Sequence, residues 1–258
     1  FFAPVQTLVQ LYNSYQQGGA AIVKLRELLS TEPIVAQAAG ASELPSIEGE
    51  IALHDVTFSY VPERPVLHNV DLRIHPGETV AFVGETGSGK STIARLITRF
   101  HDPDSGTITI DGHDLRTVTL RSLRSQLGVV PQEPFLFAGC IRDNVAFARP
   151  DATDDELRQA LEAVGIDDLV DRIGGLDAPV HERGASLSAG ERQLLALARA
   201  FVARPRVLVL DEATSNLDLH SESRVEQALD VVLEGRTAVI IAHRLATARR
   251  ADRIAVVD

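Results

Sequence analysis

Five strand-favouring residues, Thr79–Val83, run straight into Gly84-Glu-Thr-Gly-Ser-Gly89-Lys90-Ser91-Thr92, and an apolar helical stretch, Ile93–Ile97, follows at once. A strand that feeds a glycine-rich turn and then a helix constrains this chain more than any other stretch does. It fixes one unit of a parallel α/β fold and the kind of turn inside it. The glycines let the backbone turn its N–H groups inward as an anion nest. The helix start adds about half a positive charge. Lys90 supplies an ammonium and Ser91 a hydroxyl suited to a divalent cation, so G-x-x-x-x-G-K-[ST] in this setting describes a cradle for the phosphates of a nucleotide.

The rest of the composition agrees with a parallel sheet. Of 258 residues 45% are apolar and only 5% aromatic, so the core must rest on Val, Leu, Ile and Ala, as suits strands buried on both faces. The formal charge of −11 excludes a surface that coats nucleic acid, which needs a basic stripe. A bound anion must therefore be held by a local device. Lysine occurs only at 24 and 90, which sets Lys90 apart. The single cysteine, Cys140, excludes an internal disulfide and a thiolate metal cluster and reads as a small, partly buried residue. No signal-peptide pattern is present. The chain has no Met, opens on Phe1 and ends at Asp258 in the apolar run Arg253-Ile-Ala-Val-Val, so we expect a piece of a longer polypeptide.

Along the chain, Val5, Leu8, Val9, Tyr12, Tyr15, Ile22, Leu25, Leu28 and Leu29 recur at helical spacing, predicting one helix over residues 1–29. Gln6, Gln10 and Asn13 interrupt its apolar start, and a membrane span needs about 20 apolar residues. The stripe alone suits either the last turns of a span or a surface helix packed on the domain. Residues 33–46, with Pro33, Gly40, Pro45 and an Ala-rich middle, have linker composition, and the main domain is expected from Ile47. Strands are predicted at 51–60, 66–74, 79–83, 127–130, 207–210 and 238–241, and helices at 154–164, 190–203 and 221–233. The alternation gives an α/β fold around a parallel sheet, and residues 151–202, read as free of strands, form a helical insert.

Two further constellations carry chemistry. Val207–Leu210 is a buried strand ending in Asp211 and Glu212, and the carboxyl end of a parallel strand is where side chains meet ligands. Asp211 suits a Mg²⁺ shell; Glu212, one residue on, suits the polarisation of an attacking water. Read alone, the pair is also a common helix start. Leu187-Ser188-Ala189-Gly190-Glu191 opens a helix with Ser188 as N-cap and Glu191 at the capping-box position. It is either only a capped helix or a second anion-binding start with open N–H groups at Ser188 to Gly190.

Taken together these residues resemble the ATPase domain of an ABC transporter. Gly84–Thr92 resembles its Walker A loop, Val207–Glu212 its Walker B strand, Ser188–Glu191 its signature and Ser215-Asn-Leu-Asp218 its D-loop. Gln132 in Val130-Pro-Gln-Glu133 is similar to its Q-loop glutamine, His243 to its switch histidine, and Tyr60 to its adenine-stacking aromatic. Phe135-Leu-Phe137, Ile141-Arg-Asp-Asn144 and His181-Glu-Arg-Gly184 resemble exporter domains, in which Glu182 would couple to membrane helices. Leu11-Tyr-Asn-Ser-Tyr-Gln-Gln17 is similar to the cytosolic end of such an exporter's last transmembrane helix, which favours that reading of residues 1–32 over a surface helix.

The resemblance implies a P-loop NTPase core, an antiparallel β subdomain, a helical subdomain over about 133–203 and further strands and a helix beyond Asp258. It implies ATP and Mg²⁺ as ligands, with Tyr60, Gly84, Glu85, Thr86, Gly87, Ser88, Gly89, Lys90, Ser91 and Thr92 on the nucleotide and Ser91, Gln132 and Asp211 on the metal. Lys90, Gln132, Glu212 and His243 would carry catalysis. Ser188, Ala189 and Gly190 would cap the nucleotide of a second such domain, homo- or heterodimeric. The transmembrane part of the same polypeptide would be the other partner, at the cytoplasmic face of the cell membrane, with no nucleic acid involved. The alternatives are a regulatory, low-turnover ATP-binding half and a soluble ATPase of the same family. Ala189 and Glu191 depart from the family's usual Gly and Gln, and Glu191 brings a negative charge toward the partner's γ-phosphate.

Overall fold

Val80–Phe82, Val207–Leu210 and Ala238–Ile241 are apolar at every position, and all eleven side chains are buried. A computed structural model of the chain describes residues 2–31, 33–211, 218–242 and 244–258, and in it these runs are the centre of a parallel sheet. The chain forms two units, residues 1–36 and 37–258.

The first unit is helix α1 (Ala3–Ser30), entered through a proline in its first turn, where the missing N–H costs nothing. Leu8, Tyr12, Tyr15, Leu28 and Leu29 of its apolar stripe are exposed. Among the described residues no helix is long and apolar enough to cross a membrane.

The second unit opens with β1 (Ile51–Val61), β2 (Arg64–Ile74), β3 (Thr79–Val83), α2 (Lys90–Ile97), β4 (Ser105–Ile110), β5 (His113–Asp114), α3 (Leu120–Arg124) and β6 (Leu127–Val130). It continues through β7 (Gly139–Cys140), α4 (Ile141–Val145), α5 (Asp154–Ala163), α6 (Asp167–Ile173), β8 (Pro179–Val180) and α7 (Ala189–Ala203). It closes with β9 (Val207–Asp211), α8 (Leu219–Leu233), β10 (Thr237–Ile241), α9 (Leu245–Ala248) and β11 (Arg253–Val256). The parallel sheet has the order β11-β3-β10-β9-β6, and an antiparallel sheet the order β2-β1-β4-β5.

Because side chains alternate along a strand, the parallel sheet divides two cores. Val80, Phe82, Val207, Val209, Val239 and Ile241 join the core that α2 and the antiparallel sheet share, with Ile51, Leu53, Ile93 and Ile97. Ala81, Leu208, Leu210 and Ile240 join the core of the helical segment, with Leu161, Leu194, Leu197 and Val225.

Two expectations need correction. The insert is not free of strands: β8 lies within it and pairs with β7 ahead of it, both too short to leave a periodic trace. Residues 42–47 are not a loose linker but a strap, with Leu44 and Ile47 buried. Its amides donate to Thr117 O from Ser42 (3.0 Å), to Ser122 Oγ from Leu44 (2.9 Å) and to Gln126 Oε1 from Ile47 (2.9 Å). Gln126 Nε2 donates back to Pro45 O at 2.8 Å. Linker composition is a local signal; these partners lie far along the chain.

Candidate nucleotide-binding site

The turn between β3 and α2 needs its glycines at defined places. Gly84 (φ 155°) and Gly89 (φ 105°) lie where L side chains strain, and a Cβ on Gly84 would stand 2.1 Å from the Val257 carbonyl oxygen. Gly89 is also the N-cap of α2, so no side chain caps that helix. Its first-turn donors therefore face the cleft without a protein acceptor from a cap, the condition for holding an anion. Lys90 is buried, 4% exposed, and its Nζ donates to the carbonyls of Gly84 (2.9 Å) and Glu85 (2.6 Å). The ammonium is thereby held over the loop rather than extended into solvent.

Above the loop lies an open cleft of about 660 Å³. Thr86, Gly87, Gly89, Lys90, Ser91 and Thr92 line it from the loop and helix, Tyr60 from the end of β1, Gln132 from the segment after β6 and Asp211 from the end of β9. Val66 and Arg95 also line it; neither was anticipated from the sequence. Arg95 lies one turn beyond Ser91 on α2, where a charged residue reads as an ordinary exposed helix position.

Other expected site residues stand elsewhere. Gly84 and Glu85 meet the site through their carbonyls on Lys90. Ser88 donates its amide to Glu85 O at 3.2 Å, and its side chain lines a different groove, with Phe82 and Val257; its buried Oγ has no partner among the described residues. Glu212, His243 and residues 215–217 of the D-loop resemblance lie outside the described residues. Asp218, described, accepts the Ser221 amide at 3.0 Å and opens α8.

Ser188, Ala189 and Gly190 do not line this cleft; they start α7. A full capping box forms there. Ser188 Oγ accepts the Glu191 amide (3.3 Å), and Glu191 Oε2 accepts the Ser188 amide (2.7 Å). The expectation of an open N–H at Ser188 is corrected: Glu191 occupies it, leaving the donors of Ala189 and Gly190. Gly190 is fixed by packing as well, since a Cβ there would stand 2.6 Å from Ser221 Cβ on α8.

A parallel sheet whose first glycine-rich turn opens a helix, with an acid ending a central strand beside it, defines a P-loop NTPase. The comparisons are narrower. The profile of the family described as ABC transporter matches residues 67–215. An uncharacterised ABC transporter ATP-binding protein of Bacillus subtilis, YknV, is 47% identical over 259 residues, covering 100% of this chain and 43% of that protein. An ATP-dependent lipid A-core flippase of Syntrophus aciditrophicus is 41% identical over 99% of this chain and 42% of its own length. A bacterial Atm1-family ABC exporter, solved with ATP bound, superposes with a TM-score of 0.85 at 39% identity, covering 100% of this chain and 45% of that one. This chain belongs to the ABC transporter family and is an ATP-binding domain of it. It spans less than half the length of these relatives.

Proposed function

We propose that this chain binds ATP with Mg²⁺ in the phosphate-loop cleft and hydrolyses it, as the ATPase half of an exporter that works in pairs at the cytoplasmic face of a membrane. One observation carries the reading: Tyr60, Lys90, Ser91, Gln132 and Asp211, from four separate segments, line one open cleft.

The donor set suits the cofactor. A Ser91 hydroxyl, a Gln132 amide oxygen and an Asp211 carboxylate are hard oxygen ligands, too few for a closed cage, which matches a Mg²⁺ that keeps waters and phosphate oxygens. Bound there, the cation would neutralise charge on the phosphates. Lys90 and the loop amides bind and orient the β- and γ-phosphates, and Tyr60 offers its ring to the base. Glu212 polarises the attacking water, and His243 holds the γ-phosphate and that water; both assignments rest on their places after β9 and β10. Ser188, Ala189 and Gly190 act in trans on the partner's nucleotide, a role supported by their standing outside the lining of this chain's own cleft.

In this reading residues 1–32 continue from the last transmembrane segment, 33–46 connect, and 47–258 are the ATPase domain, with its helical subdomain over about 133–203. The lipid A-core flippase and a fatty acid transporter of Mycobacterium bovis, 42% identical over 264 residues, carry names for different cargoes over this same segment. Cargo choice therefore belongs to other parts of the polypeptide.

The test is Glu212→Gln. It should leave ATP binding in place, slow steady-state turnover by about 10² or more, and accumulate a nucleotide-bound dimer in size-exclusion chromatography. Unchanged turnover would remove Glu212 from this role.

A further inference from the structure

Tyr60 is held at both ends. Its hydroxyl stands 3.2 Å from Thr92 Oγ1 and accepts from Arg95 Nη1 at 3.1 Å, while the Arg95 guanidinium carbon lies 5.9 Å from its ring centroid. Phe58 and His101 meet the ring edge to face, with centroids 4.9 and 5.3 Å away. Thr92 and Arg95 both belong to α2, the helix that carries Lys90 and Ser91. The aromatic platform at the end of β1 is thus fastened to the helix that would hold the phosphates, by Thr92 and by Arg95, of which only Thr92 is among the expected nucleotide residues. A tyrosine 44% exposed at a strand end would otherwise sample several rotamers.

We propose that Arg95 is a positioning residue for the base of a bound nucleoside triphosphate: it fixes the plane of Tyr60 relative to the phosphate loop, so that one ring face is ready to stack. This rests on the ATP-binding reading above. A rotamer fixed beforehand lowers the ordering cost of binding, and stacking is the term that benefits. The polyphosphate end gains nothing from it, so the inference predicts a split between ligands with and without a base.

The measurement is competition of ATP and of inorganic tripolyphosphate against a fluorescent ATP analogue, on the wild-type chain and on Arg95→Met, which keeps the stem length and helix preference. Arg95→Met should weaken ATP about 5-fold, the scale of one hydrogen bond plus a cation–π contact, and leave tripolyphosphate within about twofold by the same reasoning. Tyr60→Phe, which removes the hydroxyl alone, should weaken ATP similarly, and the double variant should lose little more than either single one. Arg95→Lys, which keeps the charge without the planar fork, should recover only part of the loss. Equal losses for ATP and tripolyphosphate would make Arg95 a general charge on the cleft and overturn the proposal. Unchanged ATP affinity, or additive losses in the double variant, would overturn it too. Failure of tripolyphosphate to compete even on the wild type would instead bring down the phosphate-loop reading.

Discussion

The two helices that open at the ends of the molecule's functional motifs, α2 and α7, start in opposite ways. α2 begins on Gly89 in a left-handed conformation with no side-chain cap, and the first residue of the helix is the buried Lys90. α7 begins on Ser188 with a complete capping box that ties Glu191 to the Ser188 amide. An uncapped start is unstable by itself and keeps its donors for a ligand; a capped start is stable and offers fewer. The contrast teaches that α2 keeps open donors, as the proposed anion site needs, while α7 is a finished edge that needs no ligand in the isolated domain. That asymmetry accords with the proposal of a site completed between two copies.

The comparison can be broken in several places. Lys90→Ala should have the largest effect, a loss of ATP affinity on the order of 10²-fold, because a buried charge-assisted contact to phosphate disappears. Equilibrium dialysis reads it, and wild-type affinity would remove the loop from the site. Gly190→Ala should act on stability instead, by about 1–3 kcal/mol. The added methyl meets Ser221 Cβ, so the denaturation midpoint should fall while nucleotide binding to the separate domain persists.

Glu191→Gln should be milder. The box keeps a Ser188 N–H acceptor, the helix start loses a favourable charge of about 0.3–1 kcal/mol, and ATP-driven dimerisation should strengthen a few-fold as repulsion of the partner's phosphates falls. Analytical ultracentrifugation of a Glu212→Gln background would show it.

The smallest effect concerns acid. The Thr153 amide, then Arg149, hold the Glu156 carboxyl below its ordinary range. A depressed folded-state pKa gives stability that is present above the unfolded value and lost as pH falls through the folded one. Glu156→Gln should therefore lower stability slightly at neutral pH, where the charged carboxylate contributes, and change little in acid below the folded-state value, so denaturation midpoints measured against pH should show a flatter acid side.

Much of this was legible in the sequence, and the reasons are local. β3, β6, β9 and β10 announce themselves because continuous apolar runs between glycines and charges have few other uses. The loop reads clearly because its glycines, Lys90 and Ser91 are consecutive. β4 escaped: Ser105-Gly-Thr-Ile-Thr-Ile110 is short and follows a Pro- and Asp-rich turn, and β1 pairs with it across a register shift. The strap at 42–47 escaped because Thr117, Ser122 and Gln126 supply its partners. Arg95 escaped because its value lies in reaching Tyr60, a neighbour that only the folded sheet brings near. The short spacing of Ser188 and Glu191 did give the capping box, and the reciprocal bond of that box is what closes the Ser188 amide expected to be open.

The strap has a mechanical meaning. Residues 42–47 are stitched to Thr117, Ser122 and Gln126, and the chain from Gln126 runs directly through β6 to Gln132 in the cleft. Residues 42–47 and the root of the strand that leads to Gln132 are therefore one piece: neither can shift without carrying the other.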